Sequence, residues 1–346
     1  MNYVCSSIQK IYEIIILKNK RKILFRADGN SKTGLGHLFR LFALYEMLKA
    51  DYKCVFLTRE NSTLKVIPKN YNLELLPDCI AFELEPEWIT KKFSAKSIII
   101  ADGYQFNSNY QKAIKQQSFK LVYIDDLVQE YMYADIIINH APGIKKEDYE
   151  AEAYTKFALG IDYAILRPLF LEAAKQKRII TKIDTAFVCF GGSDINDLTL
   201  KATKALLATE QIKKINIVIG AVYQHKDIFR LQNLNSKINI YKNLSEKGLI
   251  TVMRKSNFAI APASTILFEL LAVKMPILSG YYMNNQSLFY NYLLSNNIIH
   301  ELGNFNKIDF KRMKDSINKI QNSNYSQVKI IDGKQKQRIN KLIKAL

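Results

Sequence analysis

One histidine of this sequence stands in surroundings suited to catalysis. His37 follows Gly34-Leu35-Gly36 in a polar turn between an apolar run ending at Asp28 and an amphipathic segment. Glycines permit positive φ angles and let a ligand approach the backbone. The N–H groups at a helix start attract a diphosphate or an oxyanion. The same helix end disfavours the imidazolium cation, so we predict that His37 is a neutral general base rather than a capping or packing residue.

Polar residues follow three other apolar runs of the first half. Tyr104, in Asp102-Gly103-Tyr104, offers a phenol that can donate to a sugar hydroxyl or a phosphate oxygen, with a half-buried loop tyrosine as the alternative. Asp125-Asp126 could hold Mg²⁺ or serve as acid and base, but such pairs also cap helices and brace loops. No further ligands accompany this pair, so we predict no metal site. The role of Asn139-His140 stays open.

The second half contains further segments that suit a nucleotide. Gly191-Gly192-Ser193 ends an apolar run and forms a second small-residue loop, which suits either a phosphate or the cleft between the domains. Ser264-Thr265 is placed to cap a helix whose N–H groups can bind a diphosphate, and Glu269 lies one turn further on the same face. A carboxylate there can accept hydrogen bonds from ribose hydroxyls, unless it is an ordinary surface glutamate. Asn285-Gln286 supplies amides for hydroxyl or acetamido groups.

The elements that position these residues alternate between apolar runs and amphipathic stretches, which is typical of β-α units on parallel sheets. We predict strands at Lys22–Asp28, Cys54–Arg59, Ser97–Gly103, Lys120–Asp125, Ala134–Asn139, Asp184–Phe190, Lys214–Gly220, Ile238–Asn243, Asn257–Ala261 and Pro276–Gly280. We predict helices at Leu35–Ala50, Asn196–Thr209, Lys247–Lys255, Thr265–Val273, Gln286–Leu294 and Gly333–Leu346. In open parallel sheets, ligands bind beyond the carboxyl ends of the strands, where the candidate residues lie.

The length of 346 residues favours two domains. We expect an N-terminal Rossmann-like domain over residues 1–172, a C-terminal one over 183–325, and a basic helix within 326–346 that packs on either half. The four scattered cysteines indicate reduced thiols in a cytoplasmic protein. The early apolar run Ile14–Leu17 is too short to span a membrane, and no signal-peptide cleavage site follows it.

The net charge of +18 is high enough to suggest a nucleic-acid-binding protein. The distribution of the charge along the chain argues against this function. Residues 1–26 carry six Lys or Arg and one Glu, and residues 307–346 carry eleven Lys or Arg and three Asp. The other 280 residues therefore carry only +5. We interpret the ends as solvated lysine-rich segments, with weak contact to an anionic membrane as the alternative. We expect a monomer that binds no nucleic acid.

The motifs, in this order, resemble the PseG family of UDP-2,4-diacetamido-2,4,6-trideoxy-β-L-altropyranose hydrolases of pseudaminic-acid biosynthesis. The resemblance runs from about Ile23 to Leu294. It rests on Arg26-Ala27-Asp28, Gly34-Leu35-Gly36-His37 with Arg40, Asp102-Gly103-Tyr104, Ile124-Asp125-Asp126-Leu127, the segment from Gly160 to Pro168, Phe190-Gly191-Gly192-Ser193-Asp194, Ser264-Thr265 with Glu269, Pro276 and Asn285-Gln286. Residues 1–20, the long C-terminal segment and His140 depart from the family pattern, which leaves the exact sugar open.

The resemblance implies a GT-B-like α/β fold, in which two Rossmann-like domains with parallel sheets face a cleft and the C-terminal domain holds most of the UDP. It implies metal-independent, inverting hydrolysis of the anomeric C–O bond of a UDP-sugar, without a cofactor. The family's active-site histidine and tyrosine fall on His37 and Tyr104. We expect the substrate to contact Arg26, Asp28, Gly34, Gly36, Arg40, Asp102, Gly191, Gly192, Ser193, Ser264, Thr265, Glu269, Asn285 and Gln286.

Three other functions are the alternatives to a hydrolase. A MurG-like glycosyltransferase would use a UDP-sugar donor and need an acceptor pocket. A nucleotide-sugar sensor or an RNA-binding protein would need no general base at all. The loop with His37 and the motif with Tyr104 favour the hydrolase.

Overall fold

The computed structural model describes residues 20–30, 34–192, 194–220, 222–321 and 330–346, apart from the side chains of Asn285 and Gln321. The chain forms two compact units. The first contains the chain up to Pro168 together with Gln335–Leu346, and the second is Leu169–Lys334. Residues 1–19 of the predicted N-terminal domain lie outside the described residues.

A parallel sheet of seven strands is the centre of the first unit. Its strands lie in the order β3-β2-β1-β4-β5-β6-β7. They are β1 (Lys22–Arg26), β2 (Lys53–Arg59), β3 (Leu73–Leu76), β4 (Ile98–Asp102), β5 (Lys120–Ile124), β6 (Ile136–Asn139) and β7 (Lys156–Leu159). The central strands are continuous apolar runs, since helices cover both faces of a parallel sheet.

The α-helices of the first unit are α1 (Gly36–Leu48), α2 (Glu85–Lys92), α3 (Ser108–Gln116) and, from the far end of the chain, α11 (Gln335–Lys344). The sequence left the position of the last helix open, and its contacts decide it. Ile339 and Ile343 are buried, and the hydroxyl of Tyr52 donates to Asn340 at 2.9 Å. The helix therefore packs on the first unit.

The second unit contains a parallel sheet of six strands in the order β10-β9-β8-β11-β12-β13. The strands are β8 (Thr185–Val188), β9 (Lys214–Ile219), β10 (Ile238–Lys242), β11 (Phe258–Pro262), β12 (Ile277–Tyr281) and β13 (His300–Asn304). The helices are α4 (Pro168–Lys175), α5 (Leu198–Leu207), α6 (Asp227–Leu234), α7 (Glu246–Lys255), α8 (Ile266–Ala272), α9 (Ser287–Ser295) and α10 (Phe310–Gln321). In the described ranges, no helix has the length and apolar character needed to cross a membrane.

Each sheet has one point where the strand order reverses, between β1 and β4 in the first and between β8 and β11 in the second. The loops that follow two such neighbouring strands run in opposite directions, and the space between them is the usual binding crevice of a parallel sheet. Because the catalytic candidates follow β1 and β4, the fold places them at the crevice of the first sheet.

The sequence prediction omitted three strands, and all three lie at sheet edges. Leu73–Leu76, Lys156–Leu159 and His300–Asn304 are each only partly buried. An edge strand pairs on one side only, so its residues carry a weaker apolar signal than those of a central strand. The two-domain α/β prediction is confirmed, but the sequence prediction also omitted the helices α2, α3, α6 and α10.

A buried ion-pair network supports the start of the first sheet. Arg26 and Glu85 are both fully buried, and Arg26 Nε donates to Glu85 Oε1 at 2.6 Å. Glu85 also accepts from Arg59 at 3.2 Å and from the hydroxyl of Tyr110 at 2.7 Å. Removing one member of a buried pair leaves the other charge uncompensated, which typically costs several kcal/mol.

We therefore expect Glu85→Gln to lower the free energy of unfolding by about 3 kcal/mol, because Arg26 loses its charged partner inside the core. Urea unfolding measures this change. Glu74→Gln is the matched control, since Glu74 pairs with Lys92 at the surface and should change stability by less than about 1 kcal/mol. Equal effects of the two substitutions would contradict a structural role for the buried network.

Candidate active site

The loop between β1 and α1 is shaped by glycines. Gly34 has φ +80°, and its N–H donates to Asn30 O at 2.9 Å. A side chain at Gly29 would come within 2.8 Å of Leu38, so α1 packs closely over this turn. Helix α1 begins at Gly36, and His37 is its second residue. Residues 31–33 of this loop lie outside the described residues.

His37 is held by a carboxylate from the neighbouring strand β4. Its Nδ1 atom lies 2.8 Å from Oδ1 of Asp102, whose side chain is fully buried. A carboxylate only accepts hydrogen bonds, so Nδ1 carries the hydrogen and Nε2 of the neutral ring is the atom able to accept a proton. His37 therefore lies between the positive end of the helix and the negative carboxylate of Asp102. The prediction from the sequence considered the helix end alone and did not include this carboxylate.

Arg40 joins this pair to a third loop. Its Nε donates to Asp102 Oδ2 at 2.7 Å and its Nη2 to Asp102 Oδ1 at 2.6 Å. Its Nη1 and Nη2 donate to the carboxylate of Asp126 at 2.6 and 2.9 Å. Burial alone would raise the pKa of Asp126, but Arg40 lowers it below its usual value. Asp102 and Asp126 together engage the guanidinium on both sides.

Tyr104 lies directly against the histidine. The two rings meet edge to face, with 4.8 Å between their centroids, and the tyrosine is 55% exposed. Partial burial, and next the nearby Asp126, raise the pKa of Tyr104. The phenol therefore stays protonated at neutral pH and can donate a hydrogen bond to a ligand beside His37.

Three residues predicted to contact substrate have a different role in the structure. Arg26 is fully buried between Glu85 and Asp28, Asp102 is fully buried under His37, and the guanidinium of Arg40 is bound by two carboxylates. The side chains of Arg26 and Asp102 have no exposed surface, whereas that of Arg40 is 11% exposed. We correct the assignment of Arg26 and Asp102 from substrate-binding to positioning residues, and a contact between Arg40 and the substrate stays a prediction.

Asp28 extends the buried network towards solvent, with a side chain 16% exposed. It accepts from Arg26 at 2.6 and 2.7 Å, from the N–H of Arg59 at 2.8 Å and from the hydroxyl of Thr58 at 3.1 Å. Burial opposes ionisation, but Arg26 lowers the pKa of Asp28 below its usual value. Gln105 donates to the same carboxylate at 3.4 Å, which connects the loops after β1 and β4.

Asp125 braces the loop after β5. Its carboxylate accepts from the N–H groups of Leu127 and Val128 at 3.2 and 3.0 Å and from the hydroxyl of Tyr149 at 2.8 Å. Across the described ranges, no group of three His, Cys, Asp or Glu side chains is arranged to hold a metal ion. The two predicted carboxylates thus have separate roles, since Asp125 braces the loop and Asp126 forms an ion pair with Arg40.

His140 is a buried histidine whose role the sequence left open. It is 8% exposed, and its Nδ1 accepts from the N–H of Ile165 at 3.4 Å. Burial, reinforced by Arg40, lowers its pKa to about 4. It is neutral at physiological pH and packs beneath the loops.

In the second unit, the loop after β8 exposes Gly191 and Gly192, and Ser193 lies outside the described residues. Gly191 has φ +89°, with open space where a side chain would stand. A Cβ at Gly220 would lie 2.4 Å from the Cα of Gly192, so the loop rests on the end of β9. The sequence prediction assigned Gly220 no role, although a glycine directly after an apolar run is a usable signal for close backbone packing.

The start of helix α5 is already occupied by a side chain. The buried carboxylate of Asp194 accepts from the N–H groups of Leu198 and Thr199 at 2.9 and 2.8 Å. The nitrogen Nε2 of His225 lies 2.8 Å from the carbonyl oxygen of Asp194. A phosphate near Gly191-Gly192 would therefore use loop N–H groups rather than these two helix amides.

The predicted cap of helix α8 is absent. Thr265 is the N-cap residue, but neither its side chain nor that of Ser264 caps the helix, which has only seven residues. Glu269 is 9% exposed, which rules out an ordinary surface glutamate. Burial raises the pKa of Cys189, at the end of β8, to about 11, with a smaller contribution from Glu269.

Gln286 fixes its own loop, since its Oε1 accepts from the N–H of Tyr282 at 3.1 Å. Asn285 lies in the same short turn, and its side chain is outside the described part of the chain. The structure thus brings Asp102, Arg40 and Tyr104 together around His37. The second-unit candidates lie on three loops at the carboxyl ends of β8, β11 and β12.

Comparison with solved structures defines the class. The chain is similar to MurG of Acinetobacter baumannii, with a TM-score of 0.63 and 11% identity over 94% of this chain and 100% of that chain. It is also similar to Anabaena HepE, solved with UDP and glucose, with a TM-score of 0.57 and 12% identity over 94% of this chain and 100% of that one. The chain has a GT-B-like fold, as predicted.

Among curated proteins, the chain is 29% identical over 271 residues to the UDP-2,4-diacetamido-2,4,6-trideoxy-β-L-altropyranose hydrolase of Campylobacter jejuni, covering 77% of this chain and 93% of the relative. It is 24% identical over 259 residues to the Bacillus subtilis spore coat polysaccharide biosynthesis protein SpsG, covering 73% and 75%. The resemblance to the PseG family is thereby confirmed.

An uncharacterized protein of Methanocaldococcus jannaschii is 26% identical over 282 residues, which cover 75% of this chain. This chain spans only 55% of the length of that relative. No family model matches the chain.

The two glycines that flank Leu35 provide a test of the loop geometry. Gly34→Ala should lower the free energy of unfolding by about 1–2 kcal/mol, because φ +80° is unfavourable for a residue with a Cβ. Gly36→Ala should be neutral or stabilising, since the site is helical and open. Urea unfolding of both variants measures the difference. An equal loss in both would show that the loop does not hold Gly34 in this conformation.

Proposed function

We propose that this protein acts on a UDP-sugar and hydrolyses a UDP-linked 2,4-diacetamido-2,4,6-trideoxy sugar, releasing UDP and the free sugar. The observation that carries the proposal is the 2.8 Å contact between His37 and the buried Asp102 at the crevice of the first sheet. A histidine oriented by a carboxylate is a general base ready to activate a hydroxyl group. The similarity to the Campylobacter jejuni hydrolase supports water as the group activated.

The proposed step is an inverting displacement. A water molecule attacks the anomeric carbon and gives its proton to Nε2 of His37, while the bond from that carbon to the UDP oxygen breaks. Asp102 stabilises the imidazolium that forms, and Tyr104 donates a hydrogen bond that orients the sugar or the water. UDP is already a good leaving group, so the site needs mainly to orient the water and shield charge.

We assign UDP binding to the second unit. Gly191 and Gly192 offer exposed backbone N–H groups for the diphosphate, and Glu269 offers a carboxylate for the ribose hydroxyls. The amides at Asn285 and Gln286 are assigned to the acetamido or hydroxyl groups of the sugar. In this proposal no metal ion or cofactor takes part, and the protein works as a cytoplasmic monomer.

A MurG-like glycosyltransferase is the second candidate, because a histidine–aspartate pair deprotonates a sugar hydroxyl as readily as a water molecule. Incubation of the protein with the UDP-sugar alone separates the two. Release of UDP and free sugar at a rate that no added acceptor increases supports hydrolysis. Turnover that requires an acceptor hydroxyl supports transfer.

We expect that the loss of either His37 or Asp102 strongly reduces turnover. His37→Asn should reduce turnover by about a hundred- to ten-thousandfold, because asparagine cannot take the proton from water near neutral pH. Asp102→Asn should reduce it by at least about a hundredfold, because the imidazole loses the acceptor that selects its reactive tautomer. UDP release per folded molecule and UDP affinity by calorimetry are the measurements, and affinity should change little.

Asp135→Asn is the matched control for Asp102→Asn. Asp135 is also a buried, ion-paired carboxylate, bound to Lys115 and Lys120, but it precedes β6 at the opposite end of the sheet. The Asp135→Asn variant should be less stable than the unchanged protein but keep near-normal turnover per folded molecule. If His37→Asn behaves in the same way, His37 is a structural residue and the proposed mechanism is wrong.

Glu269→Ala should weaken UDP binding by about 1.5–3 kcal/mol, because hydrogen bonds to a charged acceptor are lost. Isothermal calorimetry with UDP alone measures the change. Glu210→Ala is the control, since Glu210 is exposed in the same unit and away from the candidate loops. Unchanged UDP affinity in Glu269→Ala, in a variant that folds normally, would remove Glu269 from the ribose site.

A further inference from the structure

Basic side chains gather at the amino ends of three neighbouring strands in the second unit. Strand β8 begins at Thr185, β9 at Lys214 and β11 at Phe258, and a groove opens where these ends meet. The groove is lined by the basic residues Arg178, Lys182, Lys213, Lys214, Arg254 and Lys255. We call this surface, together with the adjacent Ile179, the amino-edge patch.

The positive charge of the patch is largely uncompensated. Among the described residues that line the groove, Asp184 is the single acidic one, and Lys182 Nζ lies 2.8 Å from it and Lys213 Nζ 4.0 Å. Asp184 is also engaged by Thr185 and Asn257 at 2.9 Å each. Burial, and to a smaller extent the proximity of Arg254, lowers the pKa of Arg178 to about 10.

The segment that carries Ile179 is anchored to the body of the unit. Arg178 donates to the carbonyl oxygens of Val273 at 3.0 Å and Met253 at 3.2 Å, and it also donates to that of Ser256. These carbonyls lie at the C-terminal ends of helices α8 and α7, where cations are favoured. With its neighbour fixed, Ile179 is presented to solvent and is 84% exposed.

We propose that the amino-edge patch binds the surface of an anionic phospholipid bilayer. Lysine and arginine heads contact the lipid phosphates, and the isoleucine enters the boundary between headgroups and acyl chains, as apolar residues of interfacial proteins do. A nucleic acid fits the patch less well. The described lining residues include no aromatic side chain on which a base could stack, and an exposed isoleucine would gain nothing from a phosphate backbone.

The position of the patch leaves the candidate nucleotide loops open. Gly191-Gly192 and Ser264-Thr265 follow the carboxyl ends of β8 and β11, at the opposite end of the same sheet. Docking through the amino ends therefore does not cover them. The inference does not rest on the proposed hydrolase activity, and it concerns a different surface from the lysine-rich ends of the chain, for which membrane contact was the alternative interpretation.

The test uses the full-length protein and vesicles of equal parts phosphatidylglycerol and phosphatidylcholine, compared with vesicles of phosphatidylcholine alone. Co-sedimentation should show binding to the anionic vesicles only. The triple variant Lys213→Gln, Lys214→Gln, Lys255→Gln should bind about a hundredfold more weakly. Ile179→Ser should bind about fivefold more weakly, because the apolar contact is lost while the charge is kept.

The matched control is the triple variant Lys334→Gln, Lys341→Gln, Lys344→Gln, which removes the same charge at the C-terminal end of the chain. It should bind anionic vesicles within about threefold of the unchanged protein, and unchanged thermal unfolding midpoints confirm that all variants fold. Equal losses in both triple variants would overturn the proposal, because binding would then follow net charge. Tighter binding to single-stranded RNA than to the anionic vesicles would also overturn it.

Discussion

The carboxylate of Asp102 is the group on which the candidate active site depends. It ends strand β4 without solvent exposure and accepts hydrogen bonds from His37 and from two nitrogens of Arg40. Burying this carboxylate without partners would lower the stability of the fold by several kcal/mol. The chain must therefore place both His37 and Arg40 beside it. Through Arg40 the same constraint reaches Asp126, and the loops after β1, β4 and β5 are held as one assembly.

A second buried ion pair supports this assembly. Arg26 uses one side of its guanidinium for Glu85 inside the core and the other for Asp28 at the strand end. Arginine suits this role because its planar fork binds two carboxylates with fixed geometry and does not lose its proton. The first unit therefore separates two tasks. Buried charges hold the loops, while His37, Tyr104 and Asp28 keep part of their side chains exposed to solvent.

The second unit presents different surfaces at the two ends of one sheet. At the carboxyl ends of its strands, glycines remove side chains from the loop surface, and Asp194 closes the helix start beside them. At the amino ends, lysines and arginines surround a groove with one buried aspartate. The summed net charge of the central part of the chain does not reveal this basic groove, because acidic residues elsewhere offset the positive charge of the lysines and arginines.

The sequence by itself determined the two-domain α/β fold, most central strands and the loops with the candidate residues, because apolar periodicity and glycine-rich turns are local signals. It also placed His37 at a helix start. It gave no sign that Glu85, in a charged stretch, is a core residue, or that Asp102 orients His37 across 65 positions of sequence. Those facts depend on which strands become neighbours and which charges lose contact with water. Only the tertiary structure decides burial, and burial decides whether a charged side chain binds a ligand or holds another residue in place.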